Sequence, residues 1–142
     1  MRVMKVKVYF NLHKKLFSVI ALEGSKKGKV IEHVSSIDLA HPIFRVQKAG
    51  RERVLKEKKK NVHAYVAGYR VRLKSDAEIE KLGNIDWVDA TYNPYKNKSF
   101  VSVKDNIRVA HCRYARLSLD KGLRVSDDYI YHSDHNYKFA KQ

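Results

Sequence analysis

The chain has 142 residues, 44% of them hydrophobic, so it fits one domain with a core of ordinary size. Lysine and arginine number 30 against 15 aspartates and glutamates, which gives a formal net charge of +15. The single cysteine excludes an intrachain disulfide and favours a reducing compartment. We expect one cytoplasmic domain over residues 1–142, with residues 127–142 as a tail or docked extension.

The excess of positive charge indicates a negatively charged partner, because self-repulsion on this scale costs stability unless a polyanion offsets it. Nucleic acid, DNA or RNA, is the usual partner of such a chain. An anionic membrane surface or an acidic protein would satisfy the same charge. Residues 1–10 alternate lysine with apolar residues where a signal peptide has an apolar block, and no stretch is long enough to span a membrane. We therefore expect no membrane partner.

The N-terminal half alternates apolar and polar residues, which predicts β-strands. Residues 6–10 and 16–22 form a predicted hairpin, residues 29–39 a third strand in a region that Pro42 ends, and residues 43–46 a short fourth strand. From residue 47 to about residue 61 the alternation stops, and a basic stretch with a narrow apolar stripe predicts a short helix. Residues 62–73 return to alternation, with a predicted bulge at Gly68.

The C-terminal half begins with the clearest helix signal in the chain. Ser75 and Glu78 form a capping box, and Gly83 is placed to end a helix over residues 75–82. Strands are predicted at residues 85–92, 99–103, 107–118 and 123–125, with a polar loop at 93–97 and a turn at 120–122. The fold class is therefore α+β, a mostly antiparallel sheet of about seven strands with two short helices.

A dense basic cluster follows the first strands. Seven of the 13 residues from 48 to 60 are Lys or Arg, and only two glutamates oppose them. Such a cluster binds phosphates because each neutralised phosphate releases condensed counterions. The alternative is a solvated helix face, the ordinary role of a charge run. We assign phosphate contact to the cations of the cluster: Lys48, Arg51, Arg53, Lys56, Lys58, Lys59 and Lys60.

Two further stretches, residues 58–65 and 91–98, place tyrosines beside cations and amides. Tyrosine rings can stack on unpaired bases while lysines hold the backbone. The alternative, for tyrosines at strand positions such as Tyr65 and Tyr92, is a half-buried place in the sheet. We favour Tyr95 for base contact because it lies in a proline-containing polar loop, with Lys96 and Lys98 beside it.

A third basic segment lies on the predicted strand 107–118. Alternation places Arg108 and Arg116 on one face, and His111 and Arg113 on the other. Arginines on both faces are compatible with contacts to nucleic acid, and we include Arg113 among the candidate contacts. They are equally compatible with salt bridges to the acidic residues Asp86 or Asp89.

His63 is the one residue that suggests catalysis. A histidine beside a lysine run can transfer protons in metal-independent RNA cleavage while the cations stabilise the phosphorane. A single histidine on a strand is more often structural, so we do not expect an enzyme. The segment His132 to His135 lacks the further ligands that a metal site needs, and no phosphate-binding or dinucleotide-binding glycine motif is present. We expect no metal and no cofactor.

Three stretches together resemble a known group: VYFNLHKKLFSVIALEG at residues 8–24, KKKNVHAYVAGY at 58–69 and TYNPYKNKSFV at 91–101. The chain is similar to small, basic, largely uncharacterised proteins of tailed bacteriophages. The resemblance implies action in the infected bacterial cytoplasm, on nucleic acid or on a host enzyme that handles it. Two functions follow as hypotheses: a sequence-tolerant nucleic-acid-binding protein, or an inhibitor of a host nucleic-acid-handling protein.

Overall fold

The sheet begins where the sequence alternates most regularly. The computed structural model describes residues 4–71, 86–127, 130–132 and 137–139. Val6 and Val8 of β1 (Lys5–Asn11) are fully buried. β1 pairs antiparallel with β2 (Leu16–Ala21), and β2 pairs with β3 (Val30–Val34). The predicted hairpin is confirmed. The alternation predicted it correctly because a strand with one buried and one solvent-exposed face has a period of two residues.

The fourth strand differs from the prediction. β4 (Ser36–Val46) is one long strand, and Pro42 lies inside it, so the expectation that proline ends this region is wrong. Proline is tolerated there because a register shift between Ala40 and Ile43 takes it out of the hydrogen-bonded ladder. The predicted single strand over residues 29–39 is divided at Ser35, and its two halves pair with different neighbours.

The bulge explains the glycine opposite it in β5 (Ala64–Val71). A Cβ added at Gly68 would lie 3.0 Å from the carbonyl oxygen of Ala40 and 3.3 Å from Cα of Pro42. The sequence therefore marks the bulge correctly, although the extra residue belongs to β4 and not to the strand that carries the glycine.

The basic stretch forms α1 (Lys48–Glu57), which connects β4 to β5. The predicted helix is confirmed in place, but its end near residue 61 is wrong. The helix ends at Lys58, which adopts the left-handed conformation with φ 57°, and its N–H donates to the carbonyl of Val54. Residues 58–63 are irregular. The predicted second helix at residues 75–82 lies outside the described residues.

The C-terminal half adds β6 (Trp87–Thr91), β7 (Val101–Ser102), β8 (Tyr114–Ser118) and β9 (Gly122–Ser126). The predicted strand over residues 107–118 is wrong in its first half. Val109 and Cys112 both enter the core, and their spacing of three residues breaks the period of a strand. A separate hairpin, β10 (Ile130–His132) and β11 (Tyr137–Phe139), lies within the predicted tail.

Nine strands form one antiparallel sheet in the order β3-β2-β1-β5-β4-β8-β9-β6-β7. Phe100, next to edge strand β7, packs on Phe44 of β4 with ring centroids 5.5 Å apart. Since β4 and β7 are not neighbours in the sheet, this contact shows that the sheet is curled. The broad α+β class is confirmed, with nine strands in this sheet and one helix among the described residues, where about seven strands and two helices were predicted. Within the same residues, no helix has the length and apolar character that crossing a membrane requires.

Candidate nucleic-acid interface

A groove of about 610 Å³ opens to solvent beside the start of β5. Three segments that are distant in sequence line it: Phe10 and Leu12 at the end of β1, residues 58 and 60–64 after α1, and residues 91–95 after β6. Val54, the buried residue of α1, completes the lining. We call this surface the groove.

The floor of the groove is a buried histidine whose two ring nitrogens are both hydrogen-bonded. His63 is 6% exposed. Its Nδ1 lies 2.8 Å from Oδ1 and 3.2 Å from the carbonyl oxygen of Asn61, and its Nε2 lies 2.7 Å from the hydroxyl of Tyr92. Because both neighbours of Nδ1 are acceptors, we assign the proton to Nδ1, and Nε2 accepts from Tyr92.

This arrangement gives His63 a structural role. A general base needs a nitrogen that can reach the proton of a substrate, and Nε2 of His63 already accepts from Tyr92. The amide nitrogen of Asn61 donates to the carbonyl of Gly50 at 3.3 Å, which fixes Oδ1 toward the imidazole. His63 therefore connects α1, the residues before β5 and the segment after β6. This geometry gives no support to RNA cleavage.

Tyr92 remains a neutral phenol at neutral pH. Burial raises its pKa above the ordinary value of 10.0, and the positive charge and hydrogen bond of Arg51 only partly oppose the shift. Arg51 also donates from Nε to the carbonyl of Asn97 at 3.1 Å. Arg51 was predicted to bind phosphate. The structure places it half-buried between Tyr92 and the loop 93–97, where it positions that loop.

The loop 93–97 presents Tyr95 at the mouth of the groove. The side chain of Asn93 accepts from the N–H of Tyr95 at 2.9 Å, and the side chain of Asn97 accepts from the N–H of Asn93 at 3.1 Å. The backbone N–H of Asn97 also donates to the carbonyl of Asn93 at 2.7 Å. These bonds hold the loop in one shape while the side chain of Tyr95 is 59% exposed.

The structure brings only some of the predicted cations into the groove. Lys58 and Lys60 line it. The remaining predicted cations of the basic cluster and of the segment after β6, apart from Arg51, are exposed but do not line the groove: Lys48, Arg53, Lys56, Lys59, Lys96 and Lys98. Arg113 is also exposed, but it precedes β8 and does not line the groove.

Arg116 of β8 and Arg124 of β9 lie opposite each other in the sheet and form an arginine ladder, and neither lines the groove. Arg116 pairs with Asp38 at 2.7 Å, with side chains only 13% and 16% exposed. The salt-bridge alternative therefore applies to Arg116, but its partner is Asp38 and not Asp86 or Asp89. Its guanidinium also lies 4.8 Å from the ring centroid of Trp87. The carboxylate of Asp38 neutralises the guanidinium of Arg116, which leaves little of its charge for a ligand. The predicted alternation over residues 108–116 fails because residues 107–113 are not a strand.

Sequence reasoning missed the apolar part of the groove. Phe10 lies in the first predicted strand, where it alternates with polar residues, yet it is 39% exposed and edge-on to Phe17. Leu12 and Val62 are exposed apolar residues in polar segments, and this contrast was the available signal. The segment of ligand types from His132 to His135 falls mostly outside the described residues. Within the described part, no three His, Cys, Asp or Glu residues are grouped as metal ligands.

Comparison with known proteins identifies relatives of the chain. The family model described as Mycobacterium phage L5 gene 82 protein matches residues 1–125. The gene 82 protein of Mycobacterium phage L5 is 39% identical over 130 residues, which covers 86% of this chain and 95% of that protein. No solved structure matches the chain. The predicted resemblance to bacteriophage proteins is confirmed.

The close approach of α1 to His63 predicts an unusual response to substitution at Gly50. Alanine normally stabilises a helix by up to about 1 kcal/mol relative to glycine. A Cβ at Gly50 would lie 2.4 Å from Cβ of His63, so we expect Gly50→Ala to lower the free energy of unfolding by about 1–3 kcal/mol. Urea denaturation measures the change. Ala49→Gly, at an exposed neighbour, is the control for ordinary helix propensity. A stabilising Gly50→Ala would contradict this packing.

Burial of the Tyr92 phenol predicts a pH-dependent contribution to stability. Tyr92→Phe leaves Nε2 of His63 without its donor and should cost about 1–3 kcal/mol near pH 8. A raised pKa means that the folded state holds the phenolic proton more tightly than the unfolded state. The parent therefore loses stability as the pH rises above 10.0, and the variant lacks this loss. Urea denaturation at several pH values should show the gap narrowing above that pH. A widening gap would contradict the direction of the shift.

Proposed function

Since the chain belongs to the Mycobacterium phage L5 gene 82 protein family, we propose a function suited to a bacteriophage protein in the cytoplasm of an infected bacterium. The protein binds nucleic acid through the phosphate backbone, with little dependence on base sequence. Neither a cofactor nor a metal is part of this proposal.

The observation that carries the proposal is the position of uncompensated cations beside the groove. Lys58 and Lys60 line it, and Lys59 is exposed between them. Two ion pairs among the described residues, Arg70 with Glu32 and Arg116 with Asp38, use no cation of the basic cluster. Such cations repel one another and gain free energy when a polyanion approaches.

The conformation of the chain around these cations favours binding to the phosphate backbone of nucleic acid. Lys58 ends α1 in a left-handed conformation, and residues 58–63 continue without regular structure along one side of the groove. The hydrogen bonds of Asn61 and His63 hold the end of this segment. The lysines therefore project from an anchored segment, which reduces the conformational entropy lost when they bind phosphate.

The second hypothesis is a protein partner, namely a host protein that handles nucleic acid. The exposed apolar side chains of Phe10, Leu12 and Val62 favour it, because such side chains are common at protein interfaces. Capture from a bacterial lysate, with and without nuclease treatment, separates the two hypotheses. A protein partner survives nuclease, whereas partners held through nucleic acid are lost.

The proposal predicts a steep inverse dependence of affinity on salt. Each contact to a single-strand phosphate contributes about 0.7 to the slope of log Kobs against log salt concentration. We expect the double variant Lys58→Gln and Lys60→Gln to reduce the magnitude of that slope by about 1.4, twice this contribution. Fluorescence anisotropy with a labelled oligonucleotide at several salt concentrations measures it.

The control for this experiment changes the same charge elsewhere. Lys26 and Lys27 lie in the exposed turn between β2 and β3 and do not line the groove. The double variant Lys26→Gln and Lys27→Gln should keep the parent slope. Affinity that does not fall with added salt would overturn the proposed function.

A further inference from the structure

We infer that the groove receives unpaired bases, so that the nucleic acid bound by this protein is single-stranded. The inference rests on the proposed function and deepens it. Contacts to phosphate alone do not identify a single strand, because the phosphates of a duplex attract the same cations. The inference therefore depends on the apolar side chains that line the groove together with the cations.

Exposed apolar side chains are concentrated in the groove. Among the described residues, nine large hydrophobic side chains are exposed, and four of these line the groove: Phe10, Leu12, Val62 and Tyr95. Exposed apolar side chains scattered singly need no explanation, but a cluster in a concave surface marks a binding site. Because Lys58 and Lys60 line the same groove, its occupant combines an apolar face with negative charge.

A single-stranded nucleic acid has this combination of properties. Its bases expose flat apolar faces, and its phosphates follow at each step. In a duplex the base faces are stacked on one another and only the edges and the backbone are accessible. The apolar lining of the groove would therefore contribute to the binding of a single strand and contribute little to the binding of a duplex.

Tyr95 is the residue best placed to stack on a base. The residue is 59% exposed, and its backbone N–H donates to the side chain of Asn93. The loop is closed by the side chain of Asn97 and anchored to α1 through Arg51. A ring on an anchored loop loses little conformational entropy on binding, which favours stacking.

A second depression adjoins the groove and extends the proposed binding surface for single-stranded nucleic acid. This neighbouring depression of about 330 Å³ shares Leu12, Lys60 and Val62 with the groove. It extends to Tyr9 of β1 and to His13 in the hairpin turn that follows β1. Aromatic, apolar and cationic side chains therefore line both the groove and the neighbouring depression.

The test compares a thymine oligonucleotide of about 12 nucleotides, within the site sizes of known single-strand binders, with a duplex of equal length. Tyr95→Ala should weaken binding of the single strand about 5- to 150-fold, the loss expected for one base stacked on one ring. It should leave the salt slope unchanged, because no charge is removed. Tyr95→Phe keeps the ring and should retain parent affinity, and duplex binding should not change with either variant.

Tyr69→Ala is the matched control, since Tyr69 is also an exposed tyrosine but does not line the groove. It should bind the single strand as the parent does. Salt-dependent binding that is equal in the parent and Tyr95→Ala would overturn this inference and leave the proposed function standing. Equal losses for single strand and duplex would overturn it as well. A parent protein that binds neither oligonucleotide would overturn the proposed function itself.

Discussion

The groove depends on the packing of one buried imidazole. His63 fills the space that Gly50 leaves on α1, where a Cβ would lie 2.4 Å from the Cβ of the histidine. Its two nitrogens hold Asn61 and Tyr92, and Arg51 contacts the same phenol. A buried polar network of this kind is stabilising only when each member finds its partner, so α1, the start of β5 and the loop after β6 adopt their positions together.

The same network separates the two kinds of side chain in the groove. Polar groups below the surface satisfy one another, whereas the lysines and the exposed apolar side chains face solvent with little internal pairing. Tyr92 connects this site to the core, since its ring lies 5.4 Å from that of Phe100, which packs on Phe44 of β4. The surface of the groove, where we propose that the ligand binds, is therefore supported by the curled sheet.

Much of the sheet could be predicted from the sequence because its strands are buried on one face. The alternation of Val6 and Val8 identifies the first hairpin, and the basic stretch after residue 47 identifies α1. Local patterns failed where tertiary packing decides the backbone. Pro42 is accepted because a bulge removes it from the ladder, and residues 107–113 lose their period because Val109 and Cys112 both enter the core.

The candidate site was predictable in its charge and not in its shape. The lysines of residues 58–60 form a local cluster that a sequence shows directly. Phe10 and Val62 meet because β1 pairs with β5. Strand β6 is not a neighbour of either strand, and Tyr95 reaches the groove because the sheet curls. Arg51 was predicted to bind phosphate because the sequence gives no sign that the carbonyl of Asn97 lies within hydrogen-bonding distance of it. The partner of Arg116, Asp38, was missed for the same reason, because the two residues are far apart in the sequence.

The most direct test of the account is a map of the bound surface by NMR, with ¹⁵N-labelled protein titrated with a short single-stranded oligonucleotide. We predict that the largest shifts fall on amides of residues 10–12, 58–64 and 91–97, and that those of β8 and β9 near Arg116 stay unchanged. Shifts centred on the arginine ladder, or no shifts at saturating oligonucleotide in low salt, would contradict it.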